Sequence, residues 1–237
     1  IPSSCPFNCI YCQLGDIETN SRQRQVFVPT EQVVEALEAA DPCHPIDVVT
    51  LSGNGEPTLA LNLEEILIAT KQIWDKPTVV LTNSSLIDDP AVRKGLAVAD
   101  QIAAKLDAAT PKQLQSVNRP SEGIDFSDIL RGLKQLRQEY QGYLAIQTMV
   151  LSAWSEDIET AYFQYLKDIQ PNEVQINIPT RPRIIARRQK FLGTLALGLE
   201  PTGFRKLRCV DRNTLKTLAA KINAATQIPV HCVPTLN

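Results

Sequence analysis

Residues 78–107, TVVLTNSSLIDDPAVRKGLAVADQIAAKLD, contain a strand–helix–strand pattern that indicates the fold class. The apolar, β-branched run Thr78–Leu81 predicts a strand. Asp88-Asp89-Pro90 is a typical helix start, and Gln101–Leu106 predicts the next strand. A strand, a helix and a second strand in this order are typical of a βαβ unit, whose two strands are parallel and whose crossover is right-handed.

The same alternation extends in both directions along the chain. Further apolar runs predict strands at Ile46–Leu51, Leu144–Leu151 and Glu173–Ile178. Amphipathic stretches between the strands predict helices after Thr30, after Asn62, from Asp125 to about residue 141 and from Ser155 to about residue 169. Repeated βαβ units predict an α/β protein built on a parallel sheet.

The composition is that of an ordinary globular protein. Hydrophobic residues make up 43% of the 237 residues and charged residues 21%, which excludes a disordered or collagen-like chain. No apolar run approaches the roughly 18 residues of a membrane helix, so no membrane partner is predicted. The chain begins at Ile1 without a signal-peptide pattern, and we expect a trimmed fragment of a cytoplasmic protein.

Positive charge is concentrated near the carboxyl end of the chain. The segment from Arg181 to Arg208 has eight basic residues and one acidic residue, Glu200, although the whole chain has a net charge of −2. Such asymmetry indicates an anionic partner, and Arg181–Arg188 is a candidate surface for RNA phosphates. A solvated basic face is the alternative, because aromatic residues for base stacking are almost absent there.

Polar residues follow the predicted strands. They are the segment Gly53–Glu56 and the single residues Asn83, Asp107 and Asn177. Ligands of parallel α/β proteins bind at the carboxyl ends of the strands, so these side chains are candidates for lining one mouth. The alternative is that Asn and Asp at these positions only form turns.

Three of the six cysteines lie within eight positions, in Cys5-Pro-Phe-Asn-Cys9-Ile-Tyr-Cys12. This spacing lets three thiolates converge on one metal centre, and soft thiolates favour zinc or an iron–sulfur cluster. With three protein ligands, either centre keeps one open coordination position. The residues alone therefore predict a metal site and leave its metal open.

The C-x3-C-x2-C spacing, with Tyr11 before the last cysteine, resembles the signature of the radical S-adenosylmethionine (radical SAM) superfamily. Segments in the expected order resemble its motifs after the second, third and fourth barrel strands: Ser52–Thr58, Leu81–Asn83 and Lys105–Asp107. Two more segments resemble a branch of iron–sulfur oxidoreductases related to the tRNA wyosine-forming (4-demethylwyosine synthase-like) enzymes: Val117–Pro120 and Asn177–Pro182. Where that branch commonly has a further proline, this chain has Arg183.

The resemblance covers about residues 2–182 and implies a partial, open (β/α)6 TIM-like barrel of parallel strands. The first strand of that barrel is expected to be truncated in this fragment. Residues 1–182 would form the radical SAM partial barrel, and residues 183–237 a helical or irregular extension packed on the same domain.

The resemblance also implies a site. Cys5, Cys9 and Cys12 would bind a [4Fe-4S] cluster whose open iron chelates S-adenosylmethionine. An external one-electron reductant would drive cleavage of S-adenosylmethionine to a 5′-deoxyadenosyl radical, which abstracts hydrogen from a substrate. Further cofactor contacts would come from Gly53, Gly55 and Glu56 at the methionine end, from Asn83 and Asp107 at the ribose hydroxyls or methionine carboxylate, and from the Tyr11 backbone at the adenine.

The predicted function is that of a radical SAM, oxidoreductase-like enzyme with an unassigned substrate. A tRNA base is the first candidate, and a partner enzyme that receives a glycyl radical is the second. A non-catalytic module that binds zinc or an iron–sulfur cluster is the alternative from another class. The Gly-Asn-Gly-Glu segment at residues 53–56 and Thr82-Asn83 argue against that module, because a structural metal site needs neither.

Overall fold

The structure, a computed structural model, describes residues 3–41, 45–192 and 195–232. Eight strands lie within these residues: β1 (Val49–Leu51), β2 (Thr78–Thr82), β3 (Gln101–Lys105), β4 (Tyr143–Met149), β5 (Glu173–Asn177), β6 (Arg183–Leu192), β7 (Leu195–Arg205) and β8 (Val230–Cys232). Seven helices accompany them: α1 (Thr30–Glu38), α2 (Leu63–Trp74), α3 (Pro90–Leu96), α4 (Pro111–Val117), α5 (Phe126–Glu139), α6 (Glu156–Ile169) and α7 (Arg212–Thr226). A short 3₁₀ helix covers Pro57–Leu59.

The main sheet has six strands in the order β1-β2-β3-β4-β5-β8, and every neighbouring pair is parallel. Its central strands are buried on both faces, since the consecutive residues Ile102–Ala104 of β3 and Leu144–Ile146 of β4 are all buried. Continuous apolar runs of this kind are what a parallel sheet covered by helices requires. The predicted α/β fold with a parallel sheet is confirmed, and each predicted strand overlaps an observed one.

The helices between the strands begin where the sequence predicts. Asp89 caps α3 by accepting a hydrogen bond from the Ala91 N–H at 2.8 Å, and Pro90 occupies the first helical position. The long helix α5 buries one stripe that includes Phe126, Ile129 and Leu133, which follows the 3.6-residue period. Burial of these stripes against the sheet builds the core below the strand ends that position the site.

The region after residue 182 differs from the predicted helical or irregular extension. Its first part is an antiparallel hairpin of β6 and β7, followed by helix α7. Its last strand, β8, pairs with β5 and is the sixth strand of the main sheet. Strand β8 has only three residues, and basic residues interrupt the apolar pattern of β6, so neither strand carries a periodic signal along the chain.

Helix α4 is absent from the predicted elements, although its start signal is present and it has the same seven residues as the predicted helix α3. Thr110 caps the helix by accepting a hydrogen bond from the Gln113 N–H at 3.2 Å, and Pro111 follows at the first helical position.

None of the helices within the described residues combines the length and the apolar character that a membrane span requires.

Candidate cofactor site

The cysteine loop, residues 3–16, lies across the carboxyl ends of β1, β2 and β3. Its first contact is with Gly55 after β1, where the Glu56 N–H donates to the Ser4 carbonyl at 3.0 Å. A β-carbon on Gly55 would lie 1.9 Å from that carbonyl oxygen, so glycine is needed for the two backbones to approach. Gly53 is needed for a different reason, because its φ of +60° is left-handed and its surroundings are open.

The opposite side of the loop is held by residues 117–121. The N–H groups of Asn8 and Ile10 donate to the carbonyls of Asn118 (3.0 Å) and Val117 (2.9 Å). The Ser121 N–H in turn donates to the Pro6 carbonyl at 2.7 Å. The Val-Asn-Arg-Pro segment is therefore the backbone support of the first half of the cysteine loop.

Two cysteine sulfurs accept hydrogen bonds from side-chain amides. The Asn83 Nδ2 donates to Cys5 Sγ at 3.2 Å, and the Asn118 Nδ2 donates to Cys9 Sγ at 3.4 Å. Cys5 and Cys9 are buried, Cys12 is partly exposed, and all three are free thiols. Burial raises the pKa of the Cys9 thiol to about 12 and also raises the pKa of Cys5, with the carboxylates of Asp107 and Glu56 adding to the respective shifts.

The donor set fits an iron–sulfur cluster, although the three thiols are not gathered around one point. Within residues 3–41, 45–192 and 195–232, no three His, Cys, Asp or Glu side chains are grouped as a metal site. N–H donors aimed at cysteine sulfur are the contacts that stabilise and tune sulfur ligated to iron. A bound cation also reverses the effect of burial, because it favours the thiolate over the thiol.

Glu56 ties the loop after β1 to the end of β2. Its carboxylate accepts hydrogen bonds from the hydroxyls of Thr58 (2.7 Å) and Thr82 (2.6 Å) and from the backbone N–H of Asn83 (2.7 Å). The side chain is buried, and burial raises the pKa of its carboxyl despite these donors. Glu56 therefore sets the position of Asn83, which itself contacts Cys5.

Asp107 lies at the centre of a second buried cluster, after β3. Its carboxylate accepts hydrogen bonds from the Tyr11 hydroxyl, from the Asn118 Nδ2 at 2.8 Å and from the Met149 N–H at 2.8 Å. The Lys105 ammonium lies 3.6 Å from the same carboxylate and 5.0 Å from the centre of the Tyr11 ring. Its Nζ has no hydrogen-bond partner among the described residues.

The site residues named from the sequence are thus brought together at one end of the sheet. The loops after β1 and β2 meet at Cys5, through Glu56 and Asn83, and the loop after β3 meets the cysteine loop at Tyr11 and Asp107. This is the arrangement that the strand-end prediction describes.

Comparison with known proteins supplies the family. Residues 1–163 match the family description "Radical SAM superfamily". The chain belongs to the radical SAM superfamily. It is 47% identical to UPF0026 protein slr1464 of Synechocystis sp. over 98% of this chain and 88% of that protein. It is 31% identical to UPF0026 protein MJ1312 of Methanocaldococcus jannaschii over 75% of this chain and 57% of that protein.

Solved structures show the same fold. The crystal structure of Streptococcus suis SuiB bound to precursor peptide SuiA matches 99% of this chain with a TM-score of 0.65 and 16% identity. The match covers 49% of the SuiB chain, so this radical SAM chain spans about half of that protein. At this identity the likeness establishes the fold, a parallel α/β sheet consistent with a partial TIM-like barrel.

Two members of the candidate site have no recognisable signal in the sequence. Asn118 lies in the Val-Asn-Arg-Pro segment, which marks a resemblance to a branch but carries no chemical signal of its own. The position of Lys105 at a strand end predicts no role, because a lysine there points inward or outward with equal ease. Only the fold places the Asn118 amide against Cys9 and the Lys105 ammonium beside Asp107.

Proposed function

We propose that this chain binds a [4Fe-4S] cluster through Cys5, Cys9 and Cys12 and uses it to cleave S-adenosylmethionine reductively. When bound, the two cofactors supply an electron and a 5′-deoxyadenosyl radical that takes a hydrogen atom from a substrate. An external one-electron reductant is part of this proposal. Membership of the superfamily supports an enzyme, and the finer description as an oxidoreductase belongs to the proposal.

The observation that carries the proposal is the pair of amide contacts to cysteine sulfur. A buried, inert thiol needs no N–H donor, yet Cys5 and Cys9 each receive one from an asparagine. Both asparagines are themselves fixed, Asn83 by the Glu56 carboxylate and Asn118 by the Asp107 carboxylate. Sulfurs that act as metal ligands need such N–H donors. The two asparagine donors, held in place from outside the loop, therefore support a ligand role for Cys5 and Cys9.

Several of the remaining site residues have a proposed part in holding S-adenosylmethionine. Gly55 lets the loop after β1 run against the cysteine loop, where its backbone can meet the methionine end. Asp107 would act partly through Tyr11. The Asp107 carboxylate accepts a hydrogen bond from the Tyr11 hydroxyl and thereby fixes the Tyr11 backbone, which is proposed to contact the adenine. A carboxylate repels the methionine carboxylate, so we assign Asp107 to the ribose side and Lys105 to the carboxylate side.

An RNA base remains our proposed substrate, supported by the excess of basic residues from Arg181 to Arg208. Arg183 does not contribute to that surface, because it is buried and paired with Asp16. Arg205 and Lys206 are exposed and remain candidates for phosphate contacts. Binding of tRNA that weakens steeply with salt supports the proposal, and binding unchanged by Arg205→Gln together with Lys206→Gln would contradict it.

The wyosine-type branch also remains a prediction. The relatives reported above carry the name UPF0026, and a "Probable GTP 3′,8-cyclase" of Saccharolobus islandicus is 27% identical over 55% of this chain. The names of these relatives therefore indicate no single substrate for this part of the superfamily.

Iron and sulfide content after anaerobic reconstitution tests the proposed ligands. We expect about four of each per chain in the wild type and almost none in Cys9→Ala, because a thiolate ligand is lost. Cys209→Ala is the matched control, since this partly exposed cysteine lies outside the loop, and it should keep the full content. Equal iron in Cys9→Ala and the wild type, or zinc in place of iron, would overturn the assignment.

A further inference from the structure

The second half of the cysteine loop is built from two successive turns. The Cys12 N–H donates to the Cys9 carbonyl at 3.1 Å, and the Gly15 N–H donates to the Cys12 carbonyl at 3.1 Å. The first of these turns sets the direction of Cys9 relative to Cys12. Whatever holds the Cys9 carbonyl therefore also holds the geometry of the Cys-x2-Cys pair.

Arg183, the first residue of β6, contacts that carbonyl directly. Its Nη1 donates to the Cys9 carbonyl at 2.6 Å, and its Nη2 forms an ion pair with Asp16, four residues beyond Cys12. Arg183 is only 9% exposed, whereas the Asp16 side chain is 82% exposed. The forked guanidinium thus bridges the start and the end of the two turns, a geometry that lysine cannot reproduce.

Two neighbouring contacts lie beside this junction, the first with the loop backbone and the second only with a loop side chain. A β-carbon on Gly15 would lie 2.6 Å from the Ile184 carbonyl oxygen, so the loop backbone rests directly against β6. At the surface, the Arg181 Nη1 donates to the Gln13 side chain at 2.9 Å. Residues 181–184 therefore touch the loop at three separate points.

We propose that Arg183 is a positioning residue that locks the Cys9–Gly15 turns onto the hairpin of β6 and β7. The proposal deepens the function proposed above, because the locked turns would hold two cluster ligands. It also gives a role to the residue at which this chain departs from the Arg-Pro-Pro pattern of the branch it resembles. The hairpin that carries much of the basic charge is by this means fastened beside the cofactor site.

Hydrogen exchange in the protein without cofactors tests the lock itself. We expect Arg183→Ala to raise exchange of the Cys12 and Gly15 amides about tenfold or more, because two charge-assisted hydrogen bonds are lost. Arg183→Lys should show an intermediate increase, since one ammonium reaches one of the two acceptors. Arg181→Gln is the matched control and should exchange like the wild type in this segment.

Loss of iron to a chelator is the second measurement, made on reconstituted protein. Cluster release should be about tenfold faster in Arg183→Ala and unchanged in Arg181→Gln. Should Arg183→Ala fail to fold, Asp16→Asn keeps the test open, because it weakens only the exposed half of the junction from an ion pair to a neutral hydrogen bond and should raise exchange of the Gly15 amide.

The outcomes separate the two proposals. Wild-type exchange in Arg183→Lys, Asp16→Asn and any folded Arg183→Ala overturns the lock, whatever the cluster does. Failure of the wild type to bind a cluster overturns the proposed function, and the exchange experiment then still decides whether Arg183 positions the loop.

Discussion

Replacement of Gly55 by alanine tests the contact between the cysteine loop and the loop after β1. The new β-carbon would lie 1.9 Å from the Ser4 carbonyl oxygen, against roughly 3.5 Å for an ordinary contact. The two backbones must separate, which breaks the 3.0 Å hydrogen bond from the Glu56 N–H. Forced overpacking costs about 1–3 kcal/mol and the lost hydrogen bond about 1 kcal/mol, so we expect a loss of about 3 kcal/mol.

Thermal unfolding followed by circular dichroism measures this loss. About 3 kcal/mol corresponds to a fall in Tm of about 6–12 °C for a chain of this size. Gly53→Ala is the matched control in the same loop, because its φ is +60° and no atom lies within 4 Å of the new β-carbon. Strain in the left-handed conformation costs about 1–2 kcal/mol, so its Tm should fall by only about 2–8 °C.

The comparison between the two variants tests whether the contact between Ser4 and Gly55 holds the loop in place. If Gly55→Ala unfolds at the wild-type temperature, or no lower than Gly53→Ala, then the close approach of Ser4 and Gly55 is not what holds the loop in place. We expect Gly55→Ala to unfold below Gly53→Ala, because Gly55 combines the close approach to Ser4 with a φ of +157° that side chains rarely adopt.

Two further predictions concern buried polar groups. Burial raises the pKa of the Glu56 carboxyl above its ordinary value of 4.5. The folded chain therefore binds the carboxyl proton more tightly than the unfolded chain does. The contribution of the protonated Glu56 to stability is lost as pH rises from about 4.5 through the folded pKa. Glu56→Gln should reduce this decrease in the free energy of unfolding with pH, measured with urea between about pH 4 and about pH 8. If the pH dependence is the same in Glu56→Gln and the wild type, Glu56 is not the group responsible. Asn118→Ala removes an N–H donor from Cys9 and should lower the reduction potential of a bound cluster, followed by electron paramagnetic resonance. An unchanged potential would show that the amide does not touch a ligand.

The parts of the fold and site that could be predicted are those recorded locally in the chain. The strand at Thr78–Thr82 follows from β-branched residues, and the start of α3 follows from Asp89 and Pro90. The three cysteines of the loop have a spacing typical of metal ligands. Glu56, Asn83 and Asp107 each follow a strand, and the carboxyl ends of parallel strands lie at the same edge of the sheet.

The parts that could not be predicted depend on contacts between distant segments. Asn118 meets Cys9 across 109 positions, and Arg183 meets the Cys9 carbonyl across 174 positions. Neither residue type favours such a partner, so only the closed fold reveals the contact. The hairpin of β6 and β7 was missed for a related reason, because strand pairing is set by the partner strand and the basic residues hide any alternation.

Formation of 5′-deoxyadenosine is the most direct measurement of the proposed cleavage of S-adenosylmethionine. The wild type would be reconstituted anaerobically with iron and sulfide, reduced with dithionite and mixed with S-adenosylmethionine, and the products separated by chromatography. We predict 5′-deoxyadenosine and methionine from the wild type and neither from Cys5→Ala, Cys9→Ala or Cys12→Ala. A reducible cluster that yields no 5′-deoxyadenosine, or equal product from the cysteine variants, would contradict the account.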